Sequence, residues 1–355
     1  MALILFYRLI LPLQLTISFI VLSIPAHGAC NGEWHPAYPI GTLPATLSEV
    51  SGLAASMKYP GRLYMVNDSP GGEYLHILNM NSEIPETYKI DQFPGFDVED
   101  LSIGPCDKNE NGKNDSCLFV PDIGDNHHRR PFIQIAVIAE KQIFENPIVP
   151  KTIINLVYPK LARHDAEAIG VHPKTGDIFI LTKESEYYYK AKAAKLFKLT
   201  YDQWHNQKNQ PQTLIPLQEL PIPIITGSDW YEGTVTGMAI SPDGTRFLVI
   251  TYSNIIEFNY DLSKFPIFNK STPIEIDNLD YHVPEIRTLL RQEVISYLPP
   301  DGSSFLYTTE VAPLPNDANV IENAGIAIAE NTLRENADTE APLIMRVNCK
   351  KSEKR

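Results

Sequence analysis

The chain has no excess of basic residues. Of its 355 residues, 30 are lysine or arginine and 43 are aspartate or glutamate, which gives a formal net charge of -13. A protein that contacts phosphate backbones needs a positively charged surface, so nucleic acid is not expected as a partner. Glycine (19 residues) is scarcer than proline (29), while tyrosine (17) and phenylalanine (14) are abundant. This composition favours many short strands over long helices.

Long apolar runs are also scarce, and the one present lies at the N-terminus. Arg8 is followed by an apolar stretch over residues 9–24 and then by small residues up to Ala29. This organisation predicts a secretory signal peptide over residues 1–29, followed by a single domain over residues 30–355. We therefore expect a periplasmic or secreted protein that has no membrane contact once the signal is cleaved.

The alternatives to cleavage are a membrane anchor and a lipid attached to Cys30. A membrane anchor is disfavoured because the apolar run is short and is interrupted by Pro12 and Gln14, with no charged flank after it. A lipid attached to Cys30 is disfavoured because the residues just before it lack the apolar side chain that lipoprotein signals carry three positions upstream.

Cysteine is rare, with four residues in all. An even count in an oxidising compartment favours disulfides over metal ligation. Cys106 and Cys117 bracket a polar run typical of a hairpin loop, so we expect them to pair. Cys30 would then pair with Cys349, which requires the two ends of the mature chain to meet.

The sequence repeats one unit five times. Each copy has a strand of small and apolar residues near an acidic residue, a turn, and a second strand of β-branched and aromatic residues. Turn signals of the Pro-Asp-Gly and Thr-Gly-Asp types separate the two strands. A third strand follows in each copy, and usually a fourth. The first two strands of the copies are SEVSGLAAS with RLYMVND, DVEDLSIGP with CLFVPDIGD, HDAEAIGVHP with DIFILTKE, TVTGMAISP with RFLVITYS, and RQEVISYLP with SFLYTTE.

Four strands repeated radially predict an all-β, five-bladed β-propeller. The last copy ends at its third strand, and the segment before the first copy has no partner within its own unit. We therefore expect the N-terminal segment to complete the last blade and close the ring. A six-bladed propeller is the main rival, because residues 314–340 have room for further strands, and a β-sandwich would lack a reason for the ends to meet.

Propeller geometry predicts an acidic channel mouth. The first strand of each blade lines the channel, and its entry shares one face with the loop after the second strand. Crowded carboxylates repel one another unless they are neutralised, so three roles compete: structural caps, ligands of calcium, and catalytic groups with a raised pKa. The residues at this mouth are predicted to be Glu49, Ser51, Asp97, Glu99, Asp165, Glu167, Thr234, Thr236, Arg291 and Glu293 from first strands, and Asn67, Asp68, Asp122, Asp125, Asn126, Lys183, Glu184, Tyr252 and Glu310 after second strands.

The segments DVEDLSIGPC, CLFVPDIGDN, HDAEAIGVHPKTGDIFILTKE, VTGMAISPDG and RQEVISYLPPDG resemble a family of secreted bacterial β-propeller proteins, mostly without an assigned activity. The resemblance covers about residues 45 to 310. More remotely, the acid before each inner strand is similar to the pattern of apyrase-type calcium-activated nucleotidases, which are five-bladed propellers with calcium in the channel. The positions that match its recurring glutamate are Glu49, Glu99, Glu167 and Glu293, while Thr236 departs from it.

Two hypotheses about function follow. In the first, calcium held by those four glutamates polarises a phosphate or other ester, and Asp97, Asp122 or Asp165 serves as base while Lys183 holds a small anionic substrate. In the second, the propeller is not catalytic and its acidic mouth binds a ligand or a partner protein, with calcium purely structural. A lysine beside the carboxylates favours the first.

A weaker calcium motif lies in the run DKNENGKND. Oxygen-bearing side chains at Asp107, Asn109, Asn111 and Asp115 follow the spacing of a calcium loop, but Leu118 replaces the glutamate of an EF-hand. A plain hairpin tip is an equal alternative, and either would lie on the face opposite the acidic mouth. The chain has neither the G-x-S-x-G elbow of serine hydrolases nor a phosphate-binding P-loop.

Overall fold

The computed structural model describes residues 34–80, 84–108, 114–186, 190–207, 210–220, 222, 233–252, 254–264, 276–277, 291–310 and 342–350. Nearly all regular structure in these ranges is β-strand. Within them, no helix has the length and apolar character needed to cross a bilayer. The predicted signal peptide, residues 1–29, lies outside the described residues.

The strands form five main sheets, in which neighbouring strands are antiparallel except for one short parallel strand at an outer edge. In four of these sheets the strands stand in sequence order outward from a common centre, and in the fifth the outermost strand is the first strand of the described chain. Alternating apolar side chains explain this architecture, because each sheet packs both of its faces against neighbouring sheets. The first strand, β1, spans Tyr38–Thr42. Blade 1 follows with β2 (Val50–Ala55), β3 (Arg62–Asn67), β4 (Tyr74–Asn79) and β5 (Glu86–Lys89), and blade 2 with β6 (Ser102–Lys108), β7 (Asn114–Asp122), β8 (Ile133–Ala139) and β9 (Thr152–Val157).

Blades 3 and 4 repeat the pattern with small additions. A two-stranded hairpin, β12 (Ser185–Glu186) with β13 (Lys190–Ala191), follows the second strand of blade 3, and the short strand β15 (Gln212–Thr213) adds to the outer edge of blade 2 by parallel pairing with β9. The strands of blade 3 are β10 (Ala166–Val171), β11 (Ile178–Thr182), β14 (Ala194–Leu199) and β16 (Ile215–Leu220), with β12 (Ser185–Glu186), β13 (Lys190–Ala191), helix α1 (Tyr201–His205) and β15 (Gln212–Thr213) between them; blade 4 has β17 (Val235–Ile240), β18 (Phe247–Thr251), β19 (Ile255–Phe258) and β20 (Ile276–Asp277).

Short 3-10 turns cover Ala45–Leu47, Glu140–Gln142, Pro159–Leu161 and Leu262–Lys264. Helix α1 begins at a capping box, in which the Thr200 side chain accepts from the backbone of Gln203 and the Gln203 side chain accepts from the backbone of Thr200.

The last blade takes its outer strand from the N-terminal end of the fold. Its strands are β21 (Arg291–Tyr297), β22 (Ser304–Glu310) and β23 (Leu343–Asn348), and β1 pairs antiparallel with β23. Trp34 continues this pairing by a bridge to Cys349. The predicted closure of the ring by the N- and C-terminal segments is therefore confirmed.

The count of five blades is confirmed by the order of inner-strand contacts. Strand β2 contacts β6, β6 contacts β10, β10 contacts β17, β17 contacts β21, and β21 returns to β2. This ring is closed, so the six-bladed alternative is wrong. Five clusters of buried apolar side chains fill the five interfaces between neighbouring blades.

Glycines set the turns that join first to second strands in three blades. Gly176, Gly244 and Gly302 have φ angles of 73°, 71° and 65°. This left-handed conformation is easily adopted only by a residue without a Cβ, which explains the Thr-Gly-Asp and Asp-Gly signals.

The predicted hairpin disulfide is confirmed, because Cys106 and Cys117 are bonded with their Cα atoms 5.7 Å apart. Cys349 is also disulfide-bonded. Its predicted partner, Cys30, lies outside the described residues.

A bulge near the start of the inner strands positions the site. In β2, β10, β17 and β21 the pairing with the next strand skips one residue, and the skipped residue lies at the same place in each blade. A bulge leaves one residue out of the ladder and redirects its side chain. The skipped residues are Ser51, Glu167, Thr236 and Glu293.

Candidate functional site

The acidic mouth is the end of the channel where the inner strands begin, and we define it by Asp68, Asp97, Glu99, Asp122, Asp165 and Glu167. Backbone hydrogen bonds tie the strand starts to the ends of the second strands. Asp68 N donates to Glu49 O (2.9 Å), Glu99 N to Pro121 O (3.0 Å), and Lys183 N to Asp165 O (2.9 Å). The predicted convergence of these two sets of residues on one face is therefore observed.

Three carboxylates of the acidic mouth lie close enough to share one ion. One oxygen from each of Asp68, Asp97 and Glu99 lies within 4.8 Å of the others. Asp97 and Glu99 precede β6, and Asp68 follows β3, so the group spans blades 1 and 2. Asp97 and Glu99 are predicted site residues, whereas Asp68 was placed at the mouth by the sequence but not selected as a ligand.

Ser51 supports Glu99 from the neighbouring blade. The Ser51 hydroxyl lies 2.9 Å from Glu99 Oε2 and donates to it. Glu99 is buried, with 5% of its surface exposed, and Asp68 and Asp97 are half-buried. The group is thus open to solvent on the side of the two aspartates.

A second cluster joins blades 3 and 4. Lys183 Nζ lies 2.8 Å from Glu167 Oε1 and 2.8 Å from the hydroxyl of Tyr252. The ammonium group also lies 5.0 Å from the centre of the Tyr252 ring. Lys183 is therefore engaged by an internal carboxylate, which the sequence alone did not predict.

The remaining acids are held by backbone donors and by one arginine. Asp122 is fully buried; its Oδ1 accepts from Asp97 N (3.1 Å) and lies 2.6 Å from Arg130 Nη1. Its other oxygen, Oδ2, is buried without a hydrogen-bond partner in the described part of the chain. Asp165 Oδ1 accepts from Asp125 N (2.8 Å). Asp125 in turn accepts from the backbone of the loop that carries Arg130.

Burial and mutual repulsion raise the pKa of these carboxyl groups. Burial first, and then Asp68 and Asp165, raise the pKa of Asp97 to about 7. Burial raises the pKa of Glu167 to about 8 although Lys183 opposes the shift. Burial is also the main reason why the pKa values of Glu99 and Asp165 are raised, and Glu167 adds to the effect on Glu99. An added cation would relieve this repulsion.

Asp100 closes the channel below the acidic mouth, and sequence reasoning missed it. It is fully buried; its Oδ1 accepts from Leu101 N (2.7 Å), and its Oδ2 accepts from Ile169 N (2.8 Å) and Met238 N (3.0 Å). Its own N–H donates to Ser51 O (2.8 Å). One side chain thus joins blades 2, 3 and 4, and its backbone joins blade 1. A φ of 68° at Asp100, which aspartate tolerates better than most residues, redirects the chain after Glu99.

Of the four predicted calcium ligands, only Glu99 belongs to the close group, and Glu49, Glu167 and Glu293 stand apart from it. Glu167 is paired with Lys183. The position in blade 1 equivalent to Glu167 and Glu293 is Ser51, because Ser51 is the residue skipped by the bulge. Glu49 lies two residues earlier and is half-buried. Glu293 is buried in blade 5, with its backbone carbonyl beside Gly237. The roles of Glu49, Glu99, Glu167 and Glu293 as metal ligands stay predictions.

The second predicted calcium loop joins β6 and β7, as expected, on the opposite face. Asp107 is paired with Lys151 and with His205, and Asp115 Oδ2 lies 3.0 Å from Lys141 Nζ. Asn109 and Asn111 lie outside the described residues. Both described carboxylates are therefore already matched by cations.

The chemistry of the acidic mouth fits a hard cation. Calcium takes oxygen ligands at about 2.3–2.6 Å, so oxygens on the two sides of one ion lie up to about 5 Å apart. The Asp68, Asp97 and Glu99 oxygens meet this condition, and the mouth holds a further buried oxygen, Asp122 Oδ2, that has no hydrogen-bond partner among the described residues. All of these donors are carboxylate oxygens, as calcium or magnesium prefers.

Comparisons with known proteins give structural neighbours and no family. No family model matches the chain, and no curated protein is similar to it in sequence. A luciferin-regenerating enzyme aligns at 12% identity and a TM-score of 0.46, covering 88% of this chain and 94% of that one. Regucalcin, a calcium-binding protein from Agrobacterium tumefaciens strain C58, aligns at 12% identity and a TM-score of 0.41, covering 89% and 96%. The blade count and the site rest on the strand pairing and contacts of this chain itself.

Proposed function

We propose that the chain is an exported, metal-dependent hydrolase that binds a divalent cation, calcium in an export compartment, in the acidic mouth. The observation that carries the proposal is the approach of Asp68, Asp97 and Glu99 oxygens to within 4.8 Å of one another. Calcium suits the oxygen-only donor set and the compartment expected for a chain with a signal peptide.

The substrate class follows from the charges around the cation site. A bound divalent cation would polarise an ester oxygen and lower the pKa of water. Arg130 is partly exposed, with 18% of its side chain accessible, and is tied to Asp122 at the mouth. A small anionic ester, such as a phosphate ester, would be attracted by the cation and by this guanidinium.

Asp165 is the best candidate for the general base among the three predicted. Asp122 is fully buried against Arg130, and Asp97 belongs to the cation group. Asp165 is buried, keeps 6% of its surface exposed, and has a pKa raised by burial. A carboxylate with a raised pKa accepts a proton from water more readily at neutral pH than an ordinary one.

A non-catalytic propeller with a structural cation is the second candidate. The observation that favours it is the engagement of Lys183 by Glu167 and Tyr252, since this lysine then serves the fold and is not reserved for a substrate. In this case the acidic mouth would bind a small ligand or a partner protein without chemistry.

Calcium titration of the purified chain tests the cation site. Calcium should raise the melting temperature, and a chelator should lower it, because the ion binds only the folded state. The double variant Asp97→Asn with Glu99→Gln should abolish the rise. A matched control that also removes two acids, Glu145→Gln with Asp202→Asn, should keep it, because both residues are exposed and outside the mouth. Absence of any calcium response in the wild type would remove both candidate functions.

Turnover separates the two candidates. The mature protein should hydrolyse at least one class among phosphate monoesters, phytate, nucleotides and lactones only when calcium is present. Asp165→Asn should lose this activity while keeping the calcium-induced rise in melting temperature. A calcium response without turnover of any of these classes would favour the non-catalytic propeller. The intact mass of the exported protein, with a first residue near Ala29 or Cys30, tests export.

A further inference from the structure

A cavity of about 190 Å³ lies at the end of the channel opposite to the acidic mouth. All five inner strands contribute to its wall, so it lies on the axis of the propeller. Its buried lining residues include Leu53, Leu101, Met238 and Ile295, and Leu101 and Met238 donate their backbone N–H groups to Asp100. We call it the apolar cavity; Asp100 separates it from the acidic mouth.

Small side chains at the ends of the inner strands create this space. Ala54 and Ala55 end β2, Ser102 begins β6, Ala239 lies near the end of β17, and Ser296 near the end of β21; all five line the cavity. Side chains this small do not fill the axis where the five blades converge. The space they leave is a recess that opens to solvent on the face opposite to the acidic mouth.

The polar side chains of the cavity wall are already engaged in hydrogen bonds, most of which join neighbouring blades. Ser102 Oγ accepts from Val171 N (3.0 Å), and Ser296 Oγ accepts from Ala55 N (3.0 Å) and donates to Tyr297 O (3.3 Å). The Tyr297 hydroxyl donates to Glu257 (2.6 Å). What these residues offer to the cavity is therefore mainly carbon surface.

The rim of the apolar cavity is also largely apolar. Three prolines, at positions 105, 173 and 242, lie at the opening beside Met57, which is 48% exposed. The charged lining residue, Asp115, is paired with Lys141. A charged ligand would have to give up its hydration without gaining a partner in this wall, which disfavours its binding.

We propose that the apolar cavity is a second binding site, which takes an uncharged and largely apolar small molecule. Its size sets the scale of the ligand: an apolar cavity of about 150 Å³ holds one benzene molecule. A volume of about 190 Å³ accommodates benzene or a small substituted or fused ring. The proposal is independent of the acidic mouth and holds whether or not the chain is a hydrolase.

Thermal unfolding of the full mature chain with benzene, indole and benzoate tests the proposal. Benzene and indole should raise the melting temperature by about 2 °C or more at concentrations several times the dissociation constant, because they bind the folded state. Benzoate, which has the same ring and a charge, should leave it unchanged. The shift should be the same with calcium and with a chelator, which distinguishes this site from the acidic mouth.

A cavity-filling variant locates the binding. Ala239→Leu adds three carbons at a half-buried position of the wall and should abolish the response to benzene and indole. Ala162→Leu makes the same change at an exposed position outside the wall and should keep it. A response that survives Ala239→Leu, or the absence of a response to both probes in the wild type, would overturn the proposal.

Magnetic resonance keeps the proposal testable if Ala239→Leu does not fold. Contacts between benzene protons and the methyl groups of Met238 and Ile295 are expected in the wild-type chain, since both residues line the cavity. Saturating benzene without such contacts would overturn the proposal as well.

Discussion

The two ends of one channel have opposite chemistry although the same ring of blades builds both. At the acidic mouth, carboxylates stand at the starts of the inner strands of blades 2 and 3, and burial raises the pKa of Asp97 to about 7 and that of Glu167 to about 8. At the other end all five inner strands contribute small and aliphatic residues that surround the apolar cavity. The residues at the two ends of the inner strands, and not the propeller fold itself, therefore determine what each end of the channel can bind.

The two ends remain distinct because Asp100 and the bulges lie between them. Each bulge brings one side chain out of the ladder near the start of its strand, and beyond it the regular alternation resumes. Asp100 then fills the axis with three backbone hydrogen bonds from different strands or turns. A propeller can thus carry two unrelated sites on one axis when a buried polar residue separates them.

Replacing Asp100 should have the largest effect, because it removes the separation. Asp100→Ala leaves the N–H groups of Leu101, Ile169 and Met238 buried without an acceptor. We expect the free energy of unfolding to fall by about 4 kcal/mol, measured by urea denaturation. The exposed Asp202→Ala should change it by less than about 1 kcal/mol. Equal losses for both variants would contradict the role assigned to Asp100.

Removing the ammonium group of Lys183 from the acidic mouth should have the next largest effect on stability. Lys183→Met leaves Glu167 buried without its partner, which should cost about 3 kcal/mol of unfolding free energy near pH 9, above the pKa of about 8 that Glu167 has beside Lys183 in the wild type. The cost should be smaller near pH 6, because Glu167 is then protonated. Adding Glu167→Gln to Lys183→Met should restore most of the loss near pH 9. A loss that does not depend on pH would show that Lys183 acts through packing alone.

The carboxylates of the acidic mouth should also make stability depend on pH, and this effect should be smaller than the two above. The pKa values of Asp97 and Glu167 are raised in the folded state, so between about pH 4 and pH 8 the folded chain binds more protons at these groups than the unfolded chain does. Their contribution to stability is therefore lost as the pH rises through that window. In the presence of a chelator, Asp97→Asn with Glu167→Gln should flatten the decline in melting temperature between about pH 5 and pH 8. A decline as steep in the variant as in the wild type would locate its cause elsewhere.

Changes in the loop next to the apolar cavity should have the smallest effect. Asp107→Asn with Asp115→Asn removes pairs with Lys151, His205 and Lys141 that are partly exposed, so the loss should stay below about 1 kcal/mol. The melting-temperature response to calcium should be unchanged. A lost response would place the ion in this loop and leave the carboxylates of the acidic mouth without a cation.

Much of the fold could be predicted from the repeats, because each copy carries its own strand and turn signals. The turns at Gly176, Gly244 and Gly302 and the Cys106–Cys117 disulfide follow from local patterns. The closure by β1 follows from the repeat count, because the last copy lacks a fourth strand. The site could be predicted only in outline. Asp97 and Glu99 are among the predicted site residues, whereas Asp68 was placed at the mouth without a role as a ligand, because only the folded chain brings its carboxylate beside theirs.

Features of the three-dimensional structure explain why the rest of the site and the apolar cavity could not be predicted from the sequence. Glu49 looks equivalent to Glu167 in a sequence comparison, but the bulge of β2 gives that position to Ser51. Asp100 looks like one more acid of the mouth, and only its backbone partners show that it lies on the axis. The apolar cavity arises from small residues on five strands far apart in sequence, which no local pattern brings together.

The pairing of β1 with β23 also determines the order in which the molecule can be assembled. The Tyr38 hydroxyl accepts from Asn348 across a separation of 310 positions, and Trp34 Nε1 donates to Glu257 Oε2 (3.3 Å). Because β1 is synthesised first and pairs with β23, which is synthesised last, the final blade cannot form until synthesis has passed β23. Contacts of such long sequence separation are slow to form. Closure of the ring is therefore expected as the last folding step, with the earlier blades assembled one after another before it.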